Sequence, residues 1–150
     1  MRIERVQDQA ILDLVFGRVK GKVMDDFMPD DIKPNLHPAI IYLACWDGKE
    51  LLGLNVFMVE NSATLDAHSF MLPNSYGERG VEAGKKCLQW IWDNTPFVRV
   101  EAAIPDSNPH PRKWVEKLGF TKFGESEGAW WKHGKLWNVQ HFGVRRPNNG

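Results

Sequence analysis

The stretch DSNPHPRKWVEKLGF, Asp106 to Phe120, follows VRVEAAIP, Val98 to Pro105, and its punctuation decides how the surrounding chain folds. The apolar run before it reads as a strand. Pro109 and Pro111 fit only a first helical turn, after which Trp114, Val115 and Leu118 recur at helical spacing. Gly119 then stops the helix before a new strand that begins at Phe120. The segment is a strand, a helix and a tight return, with Asn108 placed to cap the helix or to hold the loop at the strand's end.

Upstream, NSYGERG opens a longer helix, VEAGKKCLQWIWDN, with Val81, Gly84, Leu88 and Ile91 on one stripe and Pro96 beyond its end. The strand ATLDAHSFMLP precedes that helix and VRVEAAIP follows it, so a right-handed crossover and a parallel strand pair are expected. Earlier still, AIIYLACW and LLGLNVFMV flank DGKE, whose Asp-Gly suits a tight hairpin. These three strands make an antiparallel meander. MRIERV reads as a first strand, and QDQAILDLVFGRVKGKV as a helix with Ala10, Ile11, Leu14 and Val15 on its apolar face. The segment Met24 to Pro38, rich in proline and aspartate, reads as a loop with a helical turn, either a mobile lid or an ordinary long connection. Downstream, FTKFGE and AWWKHGKLWNVQHFGVRR supply closing antiparallel strands that turn at His133 and Gly134. One domain over residues 1–150 is expected, with 144–150 as a polar tail.

Composition narrows the function. The chain has 150 residues, the size of one ordinary domain, and its 19 basic and 19 acidic residues cancel. No global field draws in nucleic acid or an anionic membrane. The longest apolar run, AIIYLACW, is too short to span a bilayer, and MRIERVQDQ lacks the apolar core of a secretory signal. A cytoplasmic protein with no nucleic-acid or membrane partner is expected. Cys45 and Cys87 lack CxxC spacing and read as two reduced structural thiols. The histidines are scattered, so no metal is expected.

The order of elements, together with the spacing NxxxxxxxxxLGF from Asn108 to Phe120, resembles the GNAT superfamily of N-acetyltransferases over nearly the whole chain. That family commonly reads N-x-x-A-x-x-L-Y-E-K-L-G-F here. The matching positions are Asn108, Pro111, Trp114, Val115, Glu116, Lys117, Leu118, Gly119 and Phe120. The resemblance implies an α/β fold: a mixed, mostly antiparallel twisted sheet, splayed between its fourth and fifth strands, with helices on both faces. It also implies acetyl-CoA as the acyl donor. Where the family often has a tyrosine that protonates the leaving thiolate, this chain has Val115. Water can supply that proton, because a thiol with a pKa of about 8.5 leaves readily near neutrality.

The family's (Q/R)-x-x-G-x-(G/A) loop, which wraps the CoA diphosphate, matches in two registers. Counting from Pro73 sets Tyr76 and Gly77 over Arg-Gly, with Arg79 and Val81 at the small positions. Counting from the helix sets Arg79 first, then Glu82 and Gly84. The first is preferred, because it keeps the strand-end spacing and resembles divergent members found in bacteriophage genomes. It makes Met71, Leu72, Tyr76, Gly77, Glu78, Arg79, Gly80 and Asn108 the candidate cofactor-binding residues. The alternative is a plain helix start with Gly77 and Gly80 as turn residues.

Aminolysis of a thioester needs a group to take the amine's proton. Asp66 and His68 stand two apart on one strand and so on one face, where the carboxylate can orient the imidazole. His68 is otherwise a hydrogen-bonded core histidine. Glu101 is a second candidate base or the partner of Arg99, and Tyr76 a candidate proton donor. The expected function is acyl-CoA-dependent N-acyl transfer, acetyl by default, to an amine of a small molecule or protein. The alternative is an inactive GNAT-fold module, phage-encoded, that binds a host or partner protein. A phage-encoded chain would work in the host cytoplasm, and a homodimer is left open.

Overall fold

Seven strands and three helices follow one another in the computed structural model, which describes residues 1–29 and 31–148. They are β1 (Arg2–Arg5), α1 (Gln9–Val23), β2 (Ile40–Asp47), β3 (Glu50–Val59), β4 (Thr64–Met71), α2 (Glu78–Asn94), β5 (Arg99–Pro105), α3 (His110–Lys117), β6 (Thr121–Lys132) and β7 (Lys135–Arg145), with a single 3-10 turn at Pro73–Ser75. The sheet order is β1-β2-β3-β4-β5-β7-β6. Every neighbouring pair is antiparallel except β4 and β5. The expected mixed sheet, with its one parallel pair, is therefore present.

Helices cover both faces. Leu12, Val15 and Val19 of α1 pack on Tyr42, Ala44, Leu54 and Val56. On the opposite face, Ala83, Cys87, Leu88 and Ile91 of α2 and Val115 of α3 join Leu43, Leu65, Val100 and Phe142. Burying each such aliphatic side chain contributes about 1.5–3 kcal/mol relative to exposure. The α1 stripe differs from expectation: Leu12, Val15, Phe16 and Val19 are buried, whereas Leu14 is exposed. The sheet selects the i, i+3, i+4, i+7 row, and Leu14 falls outside it.

Three further boundaries are set by tertiary contacts. Asn108 caps nothing with its side chain; Pro109 occupies the N-cap of α3, and the Asn108 amide donates to the Pro105 carbonyl at 3.1 Å. β7 continues through Arg145, and Arg146 donates to the carbonyls of Thr95 and Phe97, so the polar tail begins later than residue 144. Asn149 and Gly150 lie outside the described residues. The connection after α1 forms turns and no helix among its described residues. It is tied to the terminal hairpin, where the Asp26 carboxylate accepts the His133 and Gly134 amides at 3.0 and 2.8 Å. The rings of Phe27 and Trp131 meet nearly perpendicular, with centroids 5.8 Å apart. His133 and Gly134 have φ of 53° and 75°, as a two-residue type I′ hairpin turn requires.

Cys45 and Cys87 are buried and free, with sulfurs 3.4 Å apart, well beyond a disulfide bond of about 2.05 Å. The hydrogen bond to Cys87, reinforced by burial, holds the Cys45 thiol far above its ordinary pKa. Asn55 Nδ2 lies between them, 3.4 Å from Cys87 Sγ and 3.8 Å from Cys45 Sγ. A neutral, enclosed thiol is a poor nucleophile. Neither cysteine should react with maleimide in the native protein, and both should react fully in guanidinium; mass spectrometry of the labelled chain checks this. Among the described residues no helix is long and apolar enough to cross a membrane.

Candidate active site

The cleft originates in a short strand pairing. β4 and β5 are in register only from Thr64–Arg99 to Asp66–Glu101, after which they part. β4 runs on to Met71 and β5 to Pro105, so the sheet opens into a splay at that end. The C-terminal turn of α1 and the β6–β7 turn form one wall, and the starts of α2 and α3 form the other. The open cleft has a volume of about 590 Å³. Among the described residues its charged lining is one-sided: Lys22, Lys113, Lys117 and Lys132, with His110 and His133, but no aspartate or glutamate. In a chain of zero formal net charge this segregation is a property of the fold. A concave wall of one sign focuses its field into the cavity and favours an anionic ligand.

At one end lies the start of α2. No side chain caps it, and Gly77 holds the N-cap at φ 94° and ψ −146°, a conformation that favours glycine. Nothing lies within 4 Å of where a Gly77 Cβ would project, so the backbone there is open to a ligand. The first N–H groups of a helix have no internal acceptor, and the macrodipole adds positive potential, so this terminus suits phosphate. Gly84 plays a packing part: a Cβ would come within 2.9 Å of both Leu118 and Trp114. Trp114 Nε1 also donates to the Gly80 carbonyl at 2.8 Å, locking α3 against the first turn of α2.

Of the candidate cofactor residues, Met71, Tyr76, Gly77, Gly80 and Asn108 line the cleft, and Leu72, Glu78 and Arg79 do not. Leu72 is buried in the α1-side core. Glu78 faces the neighbouring groove beside α2. Arg79 is bound to Glu50 and Asp47 at the β2–β3 turn and donates to the Asn74 carbonyl. With Asn74, it holds the Glu50 carboxyl below its ordinary pKa. Successive helical residues turn by about 100°, so Arg79 points away from Gly77 and Val81, and Glu78 shares with Val81 the groove outside the cleft.

Tyr76 bridges the two walls. Lys22 Nζ donates to its hydroxyl at 2.8 Å, and the His110 ring lies 4.9 Å away, centroid to centroid, tilted by 56°. Asp66, His68 and Glu101 belong to another surface. Leu65 and Ala67 of β4 and Val100 and Ala102 of β5 face α2 and α3, so strand alternation turns Asp66, His68, Arg99 and Glu101 to the α1 side. His68 Nε2 is 2.9 Å from Asp66 Oδ2, and Arg99 Nε donates to Glu101 at 2.8 Å. Asp66 and Glu101 are register partners at the last pair before the splay. The His68 side chain is 45% exposed, so it is not a core histidine. The structure thus places Asp66, His68 and Glu101 together at the root of the splay, and Tyr76 apart from them inside the cleft.

Sequence reasoning missed Lys22, Lys132 and the Ser126–His141 pair, 2.7 Å apart on the same sheet face as Glu101. Nothing in their local sequence marks them, because only the β6–β7 hairpin and the α1 terminus bring them in. The i, i+4 spacing of Lys113 and Lys117 was the one legible signal.

A family profile described as "Protein of unknown function (DUF2824)" matches residues 18–149. No curated protein shows significant sequence similarity to the chain. Among solved structures, a point variant of spermidine N-acetyltransferase SpeG from Vibrio cholerae superposes with a TM-score of 0.80 at 11% identity, covering 97% of this chain and 95% of that one. The Vibrio cholerae spermidine N-acetyltransferase in complex with CoA and spermine gives a TM-score of 0.78 at 12% identity, with 97% and 95% coverage. The fold is that of the GNAT N-acetyltransferases.

Proposed function

We propose that this chain, which belongs to the DUF2824 family, is an acyl-CoA-dependent N-acyltransferase folded as one domain over residues 1–150. The observation that carries this reading is the cleft at the parting of β4 and β5, lined among the described residues by four lysines and no carboxylate, next to an uncapped helix start. A ligand with a diphosphate fits the Gly77–Gly80 terminus, and the cleft then leads along Met71 and Asn108 toward the splay. Bound acetyl-CoA would supply an activated acyl thioester.

The chain's own residues supply the proton chemistry. A carboxylate only accepts hydrogen bonds, so Asp66 holds the proton on His68 Nε2 and leaves the lone pair on Nδ1 to take the amine's proton. Glu101, at the same level of the sheet, is the second candidate base. The departing thiolate takes its proton from water or from Tyr76, since Val115 is a core residue, 3% exposed. The acceptor is an amine of a small molecule or a protein. Spermine bound to a structure of the same fold supports an amine, and Asp66 and Glu101, at the last β4–β5 pair, are carboxylates that suit a cationic one. The working place is the cytoplasm, that of a host if the chain is phage-encoded.

The buried Val115 also favours a second reading, an inactive GNAT-fold module that binds a host or partner protein, for which the exposed Phe27 would serve as contact. Calorimetry with acetyl-CoA and desulfo-CoA separates the two. Micromolar binding of both, with turnover of the first on an amine panel, supports the enzyme; silence at millimolar ligand sinks it.

Asn108→Ala gives a sharper check on the cleft. Its side chain makes no helix cap, so melting should stay unchanged, while CoA affinity should fall by about 0.5–1.5 kcal/mol through one lost neutral hydrogen bond. Lowered melting with unaltered affinity would remove Asn108 from the cofactor site.

A further inference from the structure

The four cleft lysines are not equivalent. Lys132 Nζ donates to the carbonyls of Gly21 and Met24 at 2.8 and 2.6 Å, which commits it to the C-terminus of α1. Lys22 is committed to the Tyr76 hydroxyl. Lys113 and Lys117 are exposed and have no ion-pair or hydrogen-bond partner among the described residues. Arg112, which precedes Lys113 in sequence, is instead paired with Asp106 at 3.6 Å.

Lys113 and Lys117 are four residues apart on α3 and so one helical turn apart on one flank. That flank lines the cleft, and Trp114 fixes it against the first turn of α2. Lys117 also borders the outer groove formed with Val81, so it stands at the cleft's mouth. In that groove Glu78 and Glu82 are offset by Lys85 and Lys86, which leaves the Lys117 charge without a net counter-charge. The wall therefore carries two separate anion-attracting features, the helix start and the lysine pair. A ligand with a diphosphate alone satisfies only the first.

We propose that Lys113 and Lys117 form a second phosphate site at the cleft mouth, one that reads the 3′-phosphate of the CoA nucleotide and makes the chain discriminate CoA from dephospho-CoA. This rests on the acyl-CoA reading above. The diphosphate sits on the α2 terminus, and the ribose phosphate meets two ammonium groups. Charge-assisted contacts of this kind at an exposed mouth weaken as salt screens them.

The test is calorimetry at low ionic strength with CoA and dephospho-CoA, on the wild-type chain and on Lys113→Gln/Lys117→Gln. The wild type should bind CoA about tenfold more tightly, a preference that shrinks as salt is added. The double variant should bind both ligands alike, close to the wild-type affinity for dephospho-CoA. Lys113→Arg/Lys117→Arg, which keeps both charges, should retain the preference. Equal wild-type affinities, or a preference that survives the Gln pair, would overturn the second site and leave the acyl-CoA reading standing. Failure of the wild type to bind either ligand would overturn both.

Discussion

His68→Gln is expected to lower the acylation rate by about two orders of magnitude or more while leaving CoA affinity nearly intact. The glutamine amide can still donate to Asp66, so the local hydrogen bond is preserved, but it cannot take a proton at neutral pH. His68 lies outside the lysine-lined cleft, on the opposite sheet face from the groups that would hold the cofactor. Loss of a proton acceptor should therefore appear in turnover and not in cofactor binding. The half-exposed side chain makes unfolding an unexpected outcome, which a melting curve checks on the same sample. A wild-type rate would move the role to Glu101, which pairs with Asp66 across β4 and β5, or to water. Glu101→Gln then becomes the deciding variant.

The second large effect is structural. Phe142→Ala should destabilise the domain by about 3–5 kcal/mol, a fall in melting temperature of roughly 6 to 20 °C for a chain of this size. Phe142 is 1% exposed, opposes Ala102 on β5, and belongs to the same core as Ile104 and Val115. Its ring therefore lies in the core through which the splayed strand and α3 pack together. Removing it leaves a cavity that the stiff β5–β7 pairing cannot close. Because α3 forms one wall of the cleft, CoA affinity should fall along with stability, in contrast to the separable effects expected at Asn108 and His68. A melting point within 2 °C of wild type would mean that β5 and α3 are held by other contacts.

Much of the fold was legible because its cues are local. The prolines and Gly119 around α3 and the Asp-Gly hairpin between β2 and β3 follow from local backbone geometry, the β4-α2-β5 crossover follows from the order of consecutive elements, and each stands in the structure. The α1 face was misassigned for the opposite reason. Ile11 and Leu14 are as apolar as Leu12, Phe16 and Val19, Val15 belongs to both rows, and only the sheet beneath the helix chooses the row that is buried. Asn108 has the chemistry of a cap, but Pro109 takes the cap position in the folded chain.

The site divides along the same line. From its residues alone, the chain determined a GNAT-like order of elements, a glycine-marked helix start after β4 and an Asp-x-His pair on one strand face, because each depends on spacing along a single element. Which charges meet was decided only in three dimensions. Arg79 is drawn off to Glu50 and Asp47 by the β2–β3 turn, and Lys132 arrives at the α1 terminus from 108 residues beyond Met24. Lys113 and Lys117 keep the cleft flank to themselves. Electrostatic pairing depends on distance through space, and sequence separation carries no information about it once the sheet has brought remote elements together.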